Sequence, residues 1–466
     1  MLSLTLCALT SLSATGLAPD ENLGDWTILF YGATENSAEE SFMPDIEDMR
    51  QALDTGPSVE VLCLVDRSER FTDSRAGFGE DFSGARLYRF DGKQAQRLDG
   101  GSEMPEIGLD GSTDLNMGDA ATLARFMRWG KAHYPARHYA LVFYSHGGGW
   151  SWCPDEGSAN DQLQVAEITQ TLGEKDSVDL MVMDVCSMGG IENAYQWRPG
   201  NGGFSADYLL ATPNAGYPFP WGQILGRMRA GAAVTEGLLD VAKLEAADFG
   251  RLIIDETRGF RERMRAVHPG DAEHIDGEAQ ALLDLSMASD AKQAFDQLAV
   301  ALAASTPGTR EEFESYRGFD KERPAMDYFT EDLSGWSKLP SFDAYGLARD
   351  VYESAAFSAP ITAACKSVMQ TVDQLVVHSF GMAKFEGFEP GRHGVYVIFP
   401  GGWIDRPTWS QFRWLHPDEG PEGSGNYAWC RDGATPGNGE IENWFELLDA
   451  WYDESTEGGG VNGYTP

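Results

Sequence analysis

The chain has 466 residues, room for two or three domains or for one large domain with additions. A hydrophobic share of 42%, with 11% aromatic residues, is that of a globular protein with a sizeable core. Thirty-five basic against 73 acidic residues leave a net charge of −38. That excludes nucleic acid or an anionic membrane as partner; it reads first as solubility, and more sharply as steering of a cationic substrate.

Residues 1–21 are apolar and small but carry no basic leader. They read as a secretory signal or as a disordered N-terminus: secreted or periplasmic in the first case, otherwise cytoplasmic. No other apolar run is long enough to span a bilayer. A catalytic core is expected over 22–225, as alternating strands and helices. Residues 26–32 (WTILFYG) read as a buried strand. Residues 41–54 form a helix with Phe42, Ile46, Met49 and Leu53 on one face. Strands follow at 59–66 and, more edge-like, at 85–90. The clearest helix is 116–134, where Leu123, Phe126, Met127, Gly130 and Tyr134 share a face and Asn116 or Asp119 caps the start. Then come strand 138–145, helix 161–173, strand 178–185, a helix opening near Met188 and Gly189, and strand 206–212.

From 226 to 455 a helical region is expected, with helices at 290–305 and 358–380 and a returning strand at 393–400; 456–466 reads as a flexible tail. The six cysteines are scattered without a CxxC pair, against a zinc site or a disulfide framework. Cys63 and Cys365 read as buried thiols, while Cys153 and Cys430 sit in loops and could pair.

Alternating strands and helices imply a mainly parallel sheet, whose ligands lie beyond the carboxyl ends of its strands. His146 follows one such end, in HYALVFYSHGGGW, and Cys186 follows the next, in VDLMVMDVC. A right-handed crossover between them brings both side chains to one edge of the sheet. A thiolate attacks carbonyls, and an imidazole can hold its proton. A helix opening just after Cys186 would lower the thiol pKa. Gly147 leaves its N–H bare, so an N–H from that loop and that of Cys186 would form an oxyanion hole. Taken singly, the histidine reads as a turn residue and the cysteine as a small buried hydrophobe; their joint placement raises the catalytic reading.

The segments YSHGGGW and DVCSMGGIE resemble the histidine and nucleophile boxes of the clostripain-like cysteine peptidases, built on the fold shared with caspases, legumains and gingipains. WTILFYGATEN is similar to that family's first strand, GRHGVYVIFP to its late strand and SFDAYGLA to its aspartate-bearing helix start, so the likeness runs from about Asp25 onward. It implies an α/β, caspase-like three-layer sandwich: a mainly parallel sheet, helices on both faces and a C-terminal helical and strand extension. It implies a cysteine endopeptidase with His146 as general base and acid, Cys186 as nucleophile and Asp184 at the floor of an S1 pocket that favours Arg or Lys. One departure stands out: Asn214, in PNAGYPFPWG, occupies a position where an acid is usual, which puts the basic preference in doubt. Many members cut themselves between the two boxes; the one basic residue there is Lys175, which points to the Lys175–Asp176 bond. No cofactor is required, although some members use calcium, for which acidic loops such as 330–336 would serve. The expected partner is a peptide or protein substrate, and the expected state a monomer.

Two other readings compete. An α/β-hydrolase esterase would use Ser187, with His378 or His393 as base, but Val185 stands where its nucleophile elbow needs a glycine. A degenerate peptidase fold used only for binding would not need both His146 and Cys186.

Overall fold

The computed structural model describes residues 23–98, 104–109, 114–315, 326, 328, 341–399, 427–435 and 437–452. The chain enters on β1 (Gly24–Thr34), β2 (Val59–Arg67), β3 (Gly84–Asp91), β4 (Gln94–Arg97) and β5 (Ala136–Tyr144). A hairpin of β6 (Ser151–Asp155) and β7 (Asp161–Gln164) precedes β8 (Val178–Asp184) and β9 (Ala206–Ala211). A two-residue pair, β10 (Met228–Arg229) and β11 (Leu239–Asp240), is followed by β12 (Ala279–Asp284), β13 (Ser341–Asp343), β14 (Val376–Gly381) and β15 (Tyr396–Ile398).

Nine of these strands make one sheet, in the order β14-β12-β9-β8-β5-β1-β2-β3-β4. The central five, β9 to β2, run parallel, and both flanks are antiparallel. Strands buried on both faces need near-continuous apolar runs, which YALVFY and LMVM supply. Their side chains alternate: Leu141, Phe143, Met181 and Met183 join one core, and Ala140, Val142, Leu180 and Val182 the other. Helices Ala120–His133, Ala288–Ala303 and Ala359–Leu375 cover the first face; Glu39–Ala52 and Ala246–Val267 cover the second. The result is the expected caspase-like α/β sandwich. Asp119 caps its helix, accepting from the Ala121 N–H at 2.8 Å.

Several sequence expectations change. Residues 161–164 of the helix expected over 161–173 are strand β7, pairing with β6, and the helix itself spans only Val165–Thr171. The helix expected over 358–380 stops at Leu375, and Val376–Gly381 pairs with β12 as the sheet's last strand. Nothing at the junction breaks a helix locally; the backbone turns to strand because an edge there offers partners. The central sheet therefore runs past residue 225 and draws on both β12 and β14. The strand expected at 393–400 is present but shorter, as β15, and it pairs with β13. Cys153 lies in β6 and Cys430 in the short helix Ala428–Arg431; both are buried free thiols, not a disulfide. Among the described residues no helix is long and apolar enough to cross a membrane. The acidic loop 330–336 lies outside them.

Candidate active site

β5 pairs directly with β8, and the register sets Tyr144 opposite Asp184. Two residues further on, His146 and Cys186 leave the same edge of the sheet. The glycine run between His146 and β6 lets the two tips touch: a Cβ on Gly147 would stand 2.6 Å from the Cys186 carbonyl oxygen and 3.1 Å from the Val185 side chain. Gly149 has φ +97°, a region that L side chains avoid. Gly148, by contrast, has open space: its Cβ would meet nothing nearer than the Ser151 carbonyl at 3.8 Å. The loop folds back on β6 through Cys153 N–H to His146 O (3.0 Å) and Gly148 N–H to Ser151 O (2.9 Å). These two bonds flank Gly147.

His146 is half-buried, and its Nε2 lies 2.8 Å from the hydroxyl of Ser37, in the turn after β1. Asn36, buried beside it, ties that turn to the histidine strand. Its Nδ2 donates to Ala33 O, Ser145 Oγ and Pro154 O, and its Oδ1 accepts from the Ala38 N–H. Asn193 does the same for the nucleophile segment, donating to Gly149 O at 2.7 Å and to Met188 O at 3.1 Å.

The Cys186 thiol lies 3.8 Å from the carbonyl of Gly216. Ser187 after it is held at φ +62° by its N–H on Asn214 O (2.8 Å) and by Tyr396 Oη donating to its carbonyl (2.9 Å). The following helix begins at Ile191, later than expected. No helix start sits at the sulfur to lower its pKa. Burial instead pushes the thiol up from its ordinary value, with the Gly216 contact opposing, and burial pushes His146 down. Burial thus disfavours the charged form of each group.

His146, Cys186 and Asp184 share one pocket of about 230 Å³, closed by Ser37, Tyr217 and Phe219. Asp184 is buried. Its carboxylate accepts from Trp221 Nε1 at 2.8 Å and from the Phe219 N–H at 3.2 Å. Burial holds its pKa well above the usual carboxylate range, against the Trp221 bond. Asn214 is also buried, but its amide donates to Gly277 O behind the pocket. The pocket is lined by neither Ser187 nor His378 nor His393. His378 Nε2 pairs with Asp255 at 2.9 Å, and His393 Nδ1 accepts from the Glu389 N–H at 2.7 Å. The esterase constellation is not assembled.

Lys175 and Asp176 lie elsewhere, in the turn Glu174–Asp176 at the start of β8, where Arg128 grips Asp176 at 2.7 Å. All of β8, roughly 20 Å of strand, separates them from Cys186. Among the described residues no three His, Cys, Asp or Glu side chains form a group that could hold a metal ion. Sequence reasoning did not single out Asn36, Ser37 or Asn193. The signal for the first two was the polar tip TENS of the first strand.

The profile of the clostripain family matches residues 30–451. Clostripain of Hathewaya histolytica is 34% identical over 485 aligned positions, covering 94% of this chain and 89% of that protein. Two solved structures share the fold at low identity. One is an inactive zymogen C11 protease from Parabacteroides distasonis: 15% identical, TM-score 0.52, covering 83% of this chain and 94% of that one. The other is a secreted C11 cysteine protease from Bacteroides thetaiotaomicron, in complex with an irreversible peptide inhibitor: 17%, TM-score 0.54, covering 84% and 96%. The chain belongs to the clostripain family and is a cysteine peptidase, a hydrolase acting on peptide substrates.

Proposed function

We propose that Cys186 and His146 are the catalytic pair and that the enzyme cleaves after Arg or Lys. The observation that carries this is the single pocket holding the thiol, the imidazole and a buried carboxylate. As a substrate binds, His146 takes the thiol proton while Sγ attacks the scissile carbonyl. The protonated imidazole then gives that proton to the leaving amine, and water, deprotonated by the same ring, hydrolyses the thioacyl-enzyme. The N–H groups of Gly147 and Cys186 would form the oxyanion hole, where donors act only once charge appears. Asp184 forms the floor of S1. A guanidinium or ammonium entering the pocket would draw the buried carboxyl to its ionised form, which supports selection for a basic side chain even with Asn214 in place of an acid.

Cleavage at Lys175–Asp176, if it matures the enzyme, would act between molecules, because the bond lies at the opposite edge of the sheet from its own Cys186. A fragment starting at Asp176 should then appear at a rate that rises with protein concentration. Residues 1–21 are proposed as an export signal, to be read from the N-terminus of the exported protein.

Fluorogenic peptides varied at the residue before the scissile bond test the main reading. Cys186→Ala should lose at least about 10³-fold in kcat. Asp184→Asn should lose about 10²-fold in kcat/KM on Arg and Lys peptides and little on others. Equal turnover of apolar and basic peptides by the wild type would sink the S1 assignment.

A further inference from the structure

The loop 213–220 forms one wall of the active-site pocket, yet it has no ladder or helix of its own. It is held at the front by the site itself: Gly216 O meets the Cys186 thiol, and the Phe219 N–H meets Asp184. Its carbonyls still need partners, since buried backbone acceptors are rarely left unpaired. Those partners come from behind. Arg261, on helix Ala246–Val267, sends Nη2 to Tyr217 O at 2.9 Å and to Pro218 O at 2.8 Å. Its Nε and Nη2 also bond the carboxylate of Glu278, just before β12, and both side chains are almost fully buried. Gln280 adds a donor to the same carboxylate.

A buried ion pair is costly to make unless further hydrogen bonds complete it, and is weak evidence for stability by itself. Here Nη2, one of the two nitrogens on the carboxylate, also donates to two consecutive carbonyls of the pocket wall. Nε and Nη2 hold the carboxylate as a planar fork while Nη2 also reaches both carbonyls; an ammonium keeps the charge without that fixed geometry. Tyr217, whose carbonyl is held, is 41% exposed and lines the pocket.

We propose that Arg261, locked by Glu278, is a positioning residue for substrate selection: it fixes the Tyr217–Pro218 backbone and thereby the shape of the S1 wall. The proposal rests on reading the pocket as the S1 site.

Single removals would leave a buried charge alone, so the test is the double variant Arg261→Met/Glu278→Leu, which removes both charges at similar volume. Rates are normalised to titrated Cys186 and measured on the wild type's own best peptide. A wrong Arg or Lys assignment would therefore show in the wild-type profile without touching this test. The expected result is a rise in KM of at least tenfold with a flattened preference for the residue before the scissile bond. Alkylation of Cys186 by iodoacetamide, which needs no S1 wall, should stay within threefold of wild type. A KM and preference profile within twofold of wild type would overturn the proposal, as would alkylation falling in step with turnover, the mark of general disruption. Should the double variant not fold, Arg261→Lys, which keeps the charge and loses the fork, carries the same expectations and the same overturning results.

Discussion

Burial moves the thiol of Cys186 up and the imidazole of His146 down, which opposes an ion pair formed in advance. The acid limb of kcat/KM reports the imidazole, because its protonation removes the base. With a folded-state pKa below the ordinary value, that limb should have its midpoint under about pH 6.5. The thiol predicts the alkylation profile. Iodoacetamide should label Cys186 slowly at pH 7 and faster with each pH unit towards 9, leaving Cys63, Cys153, Cys365 and Cys430 unlabelled in the native state. Fast labelling at pH 6 would instead mean a preformed ion pair. Asn36 makes a second test at this scale. Asn36→Ala takes the side-chain partner from the Ala38 N–H and from the Pro154 carbonyl, while Ala33 O keeps Ser145 Oγ, at a cost of about 1–3 kcal/mol in urea unfolding. It should also lower kcat per titrated thiol, since the turn that carries Ser37 loses its side-chain ties to Ser145 and Pro154.

At the scale of elements, the site is the meeting of two strand tips, and glycines decide how close they come. Gly147→Ala would push a methyl group against the Cys186 carbonyl and Val185, parting the tips of β5 and β8. A shift of about 1 Å at a reacting centre is enough for a loss near 10²-fold. Gly148→Ala meets open space and should keep activity within a few fold. Equal effects in steady-state assays would mean that the glycines serve loop flexibility rather than close approach. The strands at this meeting point were legible in the sequence because apolar runs and a polar tip are local signals. The edge strand Val376–Gly381 was not, because its residues continue a helical pattern and only pairing with β12 makes them a strand. The late start of the helix at Ile191 was missed for a similar reason: Tyr396 bonds the carbonyls of Ser187 and Gly189, which keeps them out of a helix.

Across the whole molecule, acidity outlasts its usual range. Burial pushes Glu35, Asp45 and Glu192 up to about 7, and for Glu35 the neighbouring Asp114 and Asp155 add to it. In the unfolded chain such groups titrate near about 4. Between those values the folded state binds more protons than the unfolded one, so stability falls as pH rises through roughly 4 to 7 and levels off above. The excess of negative charge acts in the same direction. Thermal melts should therefore give a higher midpoint at pH 5 than at pH 8, with added salt recovering part of the loss at pH 8. A midpoint that rises from pH 5 to pH 8 would contradict this.

Sequence alone determined the alternation of strands and helices, the family and the two residues that share a pocket rim, because periodicity and glycine-flanked boxes are written within a few neighbouring positions. Tertiary structure decided the direction in which burial shifts that pair, the extent of the sheet and the support of the pocket wall by Arg261 and Glu278. Those properties sum over groups brought together from distant parts of the chain: desolvation depends on what covers a side chain, and a carbonyl's partner on which helix packs behind it.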